Sequence, residues 1–194
     1  MSGRKQFDVP TALDQAMRVF WQHGYEGASL EALSSATGLG RGSLYGAFGN
    51  KDALFRQCLD RYASVYAARH EEALAAHAGD PVRAVAAFFD ATLARIADPS
   101  VPDGCLIAQS AAQSPELKEE NGAHVRALVD AQRRRVRGAL DGADPLVLDE
   151  LALYVVAVNQ SLAVLNRAGT PVDELRVVTR LACGTVAGTL AEGA

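Results

Sequence analysis

Residues 29–48 read SLEALSSATGLGRGSLYGAF. Ser29 is a good N-cap for a short amphipathic helix, and Gly38 supplies its C-terminal stop. After a tight turn, a second short helix is expected from about Arg41 to Phe48. Two short helices joined by a glycine-containing turn are the layout of a helix-turn-helix, which places its second helix in the major groove of DNA. The stretch therefore predicts a DNA-reading element.

The residue types in this stretch suit contact with DNA. Hydroxyl groups, guanidinium groups and the free N–H groups of a helix start donate hydrogen bonds to phosphates. Leu44 and Phe48 are expected to point back to the core, and Gly42 lets the helix backbone approach DNA closely. The predicted DNA-binding residues are Ser29, Arg41, Gly42, Ser43, Tyr45 and Lys51, with Arg4 and Lys5 as a flexible basic arm.

Helix signals continue along the rest of the chain. A first helix should begin near Pro10 and stop at Gly24, and Asn50 should cap a long fourth helix. With aromatic residues at 6% and no credible strand, the sequence predicts an all-α fold. The later helices are expected from Asp80 to Ile96, Cys105 to Gln113, Pro115 to Leu140, Leu146 to Arg167 and Val172 to Ala191.

Charge divides the chain into two parts. The net charge is −4, yet residues 1–60 carry 6 basic and 6 acidic side chains, against 13 and 17 in residues 61–194. A near-neutral head and an acidic body would orient towards DNA head first. We place the head, a helix-turn-helix DNA-binding domain, at residues 1–49, and the body, a ligand-binding and dimerisation domain, at residues 50–194.

Several protein classes are disfavoured by what the sequence contains. Its apolar stretches fall short of the roughly 20 residues of a membrane-spanning helix, and the basic start leads to no apolar signal region. We therefore expect a cytoplasmic protein without a membrane partner. The three cysteines have no metal-ligand spacing, and the serines lack an evident histidine and acid partner. An enzyme, a metal and a cofactor are not expected.

The head also resembles a known family. Residues 16–55 carry its order and spacing of Phe20, Gly24-Tyr25, Ser29-Leu30, Leu33, Gly38-Leu39, Gly42-Ser43-Leu44-Tyr45, Phe48, Lys51 and Leu54-Phe55. In this the chain is similar to the TetR/AcrR family of one-component transcriptional repressors. The resemblance implies about nine helices, three of them in the head. The departures at Gly40, Gly46-Ala47 and Gly49-Asn50 leave base readout mostly to Arg41 and Ser43.

A homodimer is expected, because one short recognition helix reads few bases and two half-sites of a palindrome are normally needed. The resemblance implies a four-helix bundle built from the last two helices of each copy. The alternative is that both helices are simply core. The predicted interface residues are Leu151, Val155, Val158, Leu162 and Leu165 on one helix and Val178, Ala182 and Val186 on the other.

The resemblance also implies an inducer pocket among the middle helices, with apolar walls and a few polar groups. No candidate is clearly charged, which favours a neutral or aromatic apolar ligand. The candidates are Tyr66, Phe88, Phe89, Leu93, Leu106, Gln109, Gln113, Leu128, Gln132, Tyr154 and Asn159.

These observations predict a dimeric repressor that binds a palindromic operator and is released by a small, largely apolar inducer. One alternative is a redox- or electrophile-responsive regulator using Cys105, since a helix start can lower the pKa of a thiol. Another is a helical interaction module that no longer binds DNA. Replacing Arg41 with alanine distinguishes the interaction module from the repressor, because only a protein that reads DNA with Arg41 loses DNA affinity.

Overall fold

A computed structural model describes residues 7–192 of the protein. Within that range all regular structure is helical, as predicted, and nine α-helices are present. One 3₁₀ turn, Ser114–Glu116, precedes α7. The helices are α1 Val9–Gly27, α2 Leu30–Thr37, α3 Arg41–Phe48, α4 Lys51–Ala75, α5 Pro81–Ile96, α6 Leu106–Ala112, α7 Glu119–Gly138, α8 Pro145–Arg167 and α9 Val172–Glu192.

Side-chain caps fix where the helices begin. An N-cap oxygen accepts from a backbone N–H that has no partner inside the helix, which favours starting the helix at that residue. The expected caps Ser29, Asn50 and Asp80 are confirmed, with acceptor distances of 3.0, 2.9 and 3.0 Å to the nitrogens of Ala32, Ala53 and Arg83. These local signals are the reason that the order of helices could be predicted.

Gly24 kinks α1 rather than ending it. Its φ of 73° lies in the left-handed region, and the helix resumes as far as Gly27. A Cβ at this position would lie 2.8 Å from Nε2 of Gln113, which follows α6. Glycine is favoured here by the backbone angle, whereas the Gln113 side chain could move aside.

The buried side chains form two clusters. The first cluster joins α1–α3 to the first half of α4 and to α6, and its largest members include Phe20, Trp21 and Phe55. The second cluster joins α5, α8 and α9 to the C-terminal parts of α4 and α7, around Phe88 and Phe89. Because α4 contributes to both clusters without a break, it connects the head rigidly to the body.

The expected helix opening at Pro115 is wrong. Pro115 lies in the 3₁₀ turn, and α7 begins only at Glu119. The reason is Leu117, whose extended backbone and buried side chain end the turn before α7 can start. The start of α7 thereby comes to lie against α4, where it can contact the head–body junction.

By length and composition α8 could cross a membrane, and it is the one helix among residues 7–192 with that property. A core helix of a soluble protein has the same composition. In this fold Leu151, Val155 and Leu162 of α8 are buried in the second cluster. That packing accounts for the apolar residues on one face of the helix.

Candidate functional site

The exposed surface of α3 carries small side chains, with one arginine at the start of the helix. Leu44 and Phe48 anchor the helix in the first cluster, as expected, and Arg41 and Ser43 are exposed. At about 100° per residue, Gly42, Ser43 and Gly46 fall within about 100° of one another on the side away from the core. Arg41 is not on that side; it is exposed because it is the first residue of the helix. We call these three residues, together with Arg41 at the helix start, the outer face.

Internal packing does not require the glycines of the outer face. A Cβ built on Gly42 or Gly46 would meet no atom within 4 Å. Neither residue has a positive φ. Glycine inside a helix costs about 0.8–1.0 kcal/mol relative to alanine, so the chain gives up helix stability here without a packing gain. A surface that must approach another molecule closely would account for that loss.

The residues that flank the outer face are placed for contact from its sides. The Ser29 hydroxyl accepts from the Ala32 N–H, so its own hydrogen is free to donate to a phosphate. Tyr45 packs partly against the first cluster. The Lys51 ammonium lies 4.7 Å from the Tyr25 ring centroid, which holds it at the edge of the head. The predicted arm residues Arg4 and Lys5 lie outside the described residues.

A buried carboxylate joins the head to the body just behind this surface. Asp52 of α4 accepts hydrogen bonds from Tyr25 of α1 at 2.6 Å, Lys118 at 2.6 Å and Asn121 of α7 at 2.8 Å. Burial opposes ionisation of Asp52, but these hydrogen bonds outweigh it and lower its pKa. The ionised carboxylate thus ties the start of α4 to α1 and α7, a junction that the sequence analysis missed.

A cavity of about 40 Å³ lies in the body, between α4, α5, α7 and α8. Five of the predicted pocket residues line it, and residues of both core clusters contribute to its walls. Those five are Tyr66, Phe88, Leu128, Gln132 and Asn159. The rest of the lining is Tyr62, Ala63, Ala67, His70, Thr92, Arg95, Cys105, Ile107, Arg135 and Gln160.

Polar groups are arranged along one wall of the cavity. The Thr92 hydroxyl donates to Oδ1 of Asn159 at 2.7 Å and lies 3.0 Å from Nε2 of His70. Burial, with the charges of Arg95 and Arg135, lowers the pKa of His70 to about 4. His70 is therefore neutral at pH 7, and its Nε2–H donates to the Thr92 oxygen.

The other predicted pocket residues lie elsewhere. Phe89, Leu93 and Leu106 are core residues with no face on the cavity. Gln109 and Gln113 lie beside Gly24 at the contact between α1 and α6. Tyr154 is on the exposed side of α8. Alternate sides of a buried helix look alike in sequence, so the pattern could not tell the cavity wall from solid core.

The cavity differs from the expected pocket in containing charged groups. Arg95 and Arg135 line the cavity, and Arg95 is only 5% exposed. A signal was present in the sequence. Arg95 follows Phe88 and Thr92 by seven and three residues, a spacing that places all three on one face of α5.

The predicted dimer interface must be corrected. Five of its eight residues are buried in the chain's own second cluster and cannot contact a partner: Leu151, Val155, Leu162, Ala182 and Val186. Val158 and Val178 are partly buried against the same cluster, and Leu165 is exposed. The opposite sides of α8 and α9 expose other large apolar residues, with Leu153 53%, Val164 62% and Leu181 65% accessible. We call Leu153, Val164 and Leu181 the apolar patch.

The cysteines differ in their surroundings. Cys58 is wholly buried, and burial raises the pKa of its thiol. Cys183 is half-buried and its pKa is also raised by burial. Cys105 lines the cavity, and its Sγ accepts from the Ala108 N–H at 3.5 Å.

Among residues 7–192 no group of three or more His, Cys, Asp or Glu side chains is placed to hold a metal.

Comparison with known proteins places these features in a family. Residues 12–58 match a family profile described as "Bacterial regulatory proteins, tetR family". The chain is 34% identical to the HTH-type transcriptional repressor ComR of Escherichia coli K12 over 180 residues, which are 88% of this chain and 85% of ComR. The chain belongs to the TetR family of transcriptional regulators.

Solved structures of TetR regulators share the whole fold. A CifR cysteine mutant complexed with 26-bp double-strand operator DNA superposes with a TM-score of 0.82 at 31% identity, covering 92% of this chain and 96% of that one. A TetR regulator from Chloroflexus aurantiacus gives 0.79 at 25% identity, covering 91% and 92%. The family and these relatives are transcriptional regulators and not enzymes, which agrees with the expectation from the sequence.

Proposed function

We propose that this TetR regulator is a cytoplasmic repressor that binds a palindromic DNA operator as a homodimer and is released when a small molecule enters the body cavity. The observation that carries the proposal is the outer face of α3, where Arg41 and Ser43 are exposed on a helix anchored by Leu44 and Phe48. The resemblance in sequence and fold to ComR and to operator-bound CifR supports it.

DNA binding would use the head as a rigid unit. The glycines of the outer face let the α3 backbone approach the floor of the major groove, and the Arg41 guanidinium can donate two hydrogen bonds to a guanine edge. Ser29 and Lys51 would contact phosphates on either side. These contacts fix the register of the helix, and Arg41 and Ser43 supply specificity.

The apolar patch on α8 and α9 is the surface that we propose for the second copy. Isolated exposed leucines are common, but here Leu153, Val164 and Leu181 lie on two adjacent packed helices. A two-fold axis through this patch would pair α8 and α9 with the same helices of the partner. Both heads would then point to the same side of the dimer, so that each could bind one half-site.

Release would work through α4. The cavity contacts α4 at Tyr62 and Tyr66, and the start of the same helix carries Asp52 and Lys51 in the junction and head. A ligand shifts the equilibrium only if it binds one arrangement of the heads more tightly than the other. Displacement of α4 by a bound molecule would change the spacing of the two outer faces and weaken binding to both half-sites together.

The test is selection of bound sequences from a random DNA pool by the purified full-length protein at a stated salt concentration. Enrichment of a palindrome with two equivalent half-sites is expected. The Arg134→Ala variant, which removes an exposed arginine from α7, serves as a control and should select the same sequence. A pool without enrichment would contradict operator binding, and an enriched single half-site would contradict the dimer.

Cys105 supports a second candidate function, an electrophile-responsive repressor. It is the cysteine that lines the cavity, whereas Cys58 is wholly buried. Alkylation of Cys105 would add volume at the place where a ligand would act. Release of the selected DNA by N-ethylmaleimide from the wild type but not from Cys105→Ala supports this function, and equal release from both contradicts it.

A further inference from the structure

We propose that the body cavity binds a small organic carboxylate with an apolar or aromatic body, held by Arg95 and Arg135. The inference rests on the proposed function, because it names the chemical class of the molecule that the cavity takes. It departs from the neutral ligand that the sequence pattern favours. The evidence is the charge of the lining, an unsatisfied polar atom and the shape of the walls.

The charges of the cavity lining are of one sign. Arg95 and Arg135 line it, and none of its fifteen residues is an aspartate or glutamate. None of the eight ion pairs found among residues 7–192 includes either arginine. His70 is neutral, so it neither adds to nor offsets this charge. A ligand with a negative charge is the missing partner.

Of the two arginines, Arg95 gives the stronger evidence for a charged ligand, because it is only 5% exposed. Buried charges in proteins are normally paired with an opposite charge. Arg95 instead donates to the carbonyl oxygen of Gly104 and lies 5.7 and 5.9 Å from the ring centroids of Trp21 and Tyr66. A guanidinium has five donors, so it retains donors for a carboxylate.

An unsatisfied side-chain oxygen adds a second, independent observation. The amide nitrogen of Gln160 donates to Oε1 of Gln132 at 2.9 Å, whereas its own Oε1 is buried and accepts no hydrogen bond within the described structure. Gln160 lines the same cavity. A buried acceptor without a donor costs about 1–3 kcal/mol, so this oxygen favours a ligand that carries a hydroxyl or N–H in addition to its carboxylate.

The walls define the rest of the ligand. Tyr62, Tyr66 and Phe88 contribute aromatic faces, which suit an apolar or aromatic body. The present volume of about 40 Å³ holds only a few water molecules. A carboxylate with such a body must therefore push the surrounding helices apart on entry. Compact acids fit this requirement better than long or multiply charged ones.

The experiment compares pairs of probes that share shape and differ in charge. We would measure the melting temperature and the Kd of the full-length protein with 4-hydroxybenzoate against 4-hydroxybenzamide, and 6-hydroxyhexanoate against 6-hydroxyhexanamide, with sodium chloride matching the sodium of the acids. Inorganic phosphate is added as an anion without an apolar body. At least one acid should bind about tenfold more tightly than its amide, and phosphate should not stabilise the protein.

Two variants and one control assign the effect to this cavity. Arg135→Gln should remove most of the acid preference, and Arg95→Lys, which keeps the charge but not the fork of donors, should reduce acid affinity. Arg134→Gln changes the neighbouring exposed residue on the same helix and should keep the wild-type preference.

The inference is overturned if amides bind as tightly as acids, if no acid binds, if phosphate stabilises the protein as well as the acids do, or if Arg134→Gln loses the preference as Arg135→Gln does. Selection of DNA without any ligand separates these results from the proposed function. If a palindrome is enriched but no acid binds, only the proposal of a carboxylate ligand is rejected. If an acid binds but no DNA is enriched, the repressor function is rejected and the carboxylate site is retained.

Discussion

Arg167, the last residue of α8, donates a hydrogen bond from Nη2 to the carbonyl oxygen of Gln22 in α1, 2.7 Å away. Its Nη1 donates to the neighbouring carbonyl of Trp21 at 3.1 Å. These carbonyls precede the kink at Gly24, where the regular helical hydrogen bonds are interrupted. One body arginine thus satisfies two backbone acceptors of the head.

We expect Arg167→Met to lower the free energy of unfolding by about 1–3 kcal/mol, because it leaves the Trp21 and Gln22 carbonyls without this donor. Urea denaturation followed by circular dichroism measures the change. Arg180→Met, which removes an exposed arginine from α9, is the control and should change stability by less than about 0.5 kcal/mol. Equal stability of the two variants would remove Arg167 from the head–body contact.

Arg41→Ala should weaken binding to the selected operator by about 1–3 kcal/mol, because one bidentate contact to a base is lost. Since Arg41 is exposed at the start of α3, the melting temperature should stay unchanged. Fluorescence anisotropy with the operator and with a scrambled duplex measures both affinity and discrimination. An unchanged affinity for the operator would exclude Arg41 from base readout.

Gly42→Ala should raise stability and lower DNA affinity at the same time. The added methyl group meets no atom of the protein, and alanine favours a helix over glycine by up to about 1 kcal/mol. On the outer face, however, the methyl group would hold α3 away from DNA. The same change at Gly138, the last residue of α7, is the matched control. Gly138→Ala should bind the operator with wild-type affinity. If Gly42→Ala does so too, close approach of the α3 backbone to DNA is refuted.

Leu181→Glu should convert the proposed dimer to a folded monomer. Leu181 is 65% exposed in the single chain, so a charge there does not disturb the core but would be buried in the interface. Sedimentation velocity measures the molecular mass, and circular dichroism verifies the helices. Val9→Glu, at an exposed apolar position in the head, is the comparison and should stay dimeric. A dimeric Leu181→Glu protein would show that the apolar patch is not the interface.

His70 predicts a dependence of stability on pH. Burial and two arginines lower its pKa from about 6.5 in the unfolded chain to about 4 in the folded one. The stabilisation from keeping His70 neutral is therefore fully present above about pH 6.5, and it is lost as the pH falls towards 4, by up to about 3 kcal/mol. Urea titrations of the wild type and His70→Gln across this window should diverge if His70 is responsible; parallel curves would contradict it.

Local signals made the head predictable, and their absence elsewhere explains the errors. Ser29, Gly38 and Asn50 act within one helical turn of themselves, so the sequence alone indicated α2, α3 and the start of α4. The all-α fold was predictable from the helix signals and the low aromatic content of the whole chain, and the TetR family from the order and spacing of residues 16–55.

Helix α8 shows why the predicted interface failed. It is apolar on two faces, and the more regular stripe through Val155 belongs to the core, whereas Leu153 and Val164 lie on the other face. Nothing within α8 distinguishes a face that meets the chain's own core from one that meets solvent. That distinction depends on the packing of α5 and α9, which is not a property of the helix itself.

The prediction of the residues that line the cavity was incomplete for a different reason. Arginine is usually a surface residue, so composition alone does not place Arg95 and Arg135 in a pocket. The spacing of Arg95 from Phe88 and Thr92 was a signal within α5, whereas the inward position of Arg135 follows only from the packing of α7. Five apolar or amide residues of the cavity were predictable because the composition of a pocket is more regular than its charge.

The division of the core into two clusters has a consequence for how the molecule would let go of its operator. The outer face of α3 rests on the first cluster, and the apolar patch rests on the second. A distortion spreading from the cavity through α4 into the first cluster can therefore disengage the heads while the packing of α8 against α9, beneath the apolar patch, stays intact. The two subunits would leave the DNA still joined, ready to rebind as a pair without having to find each other again.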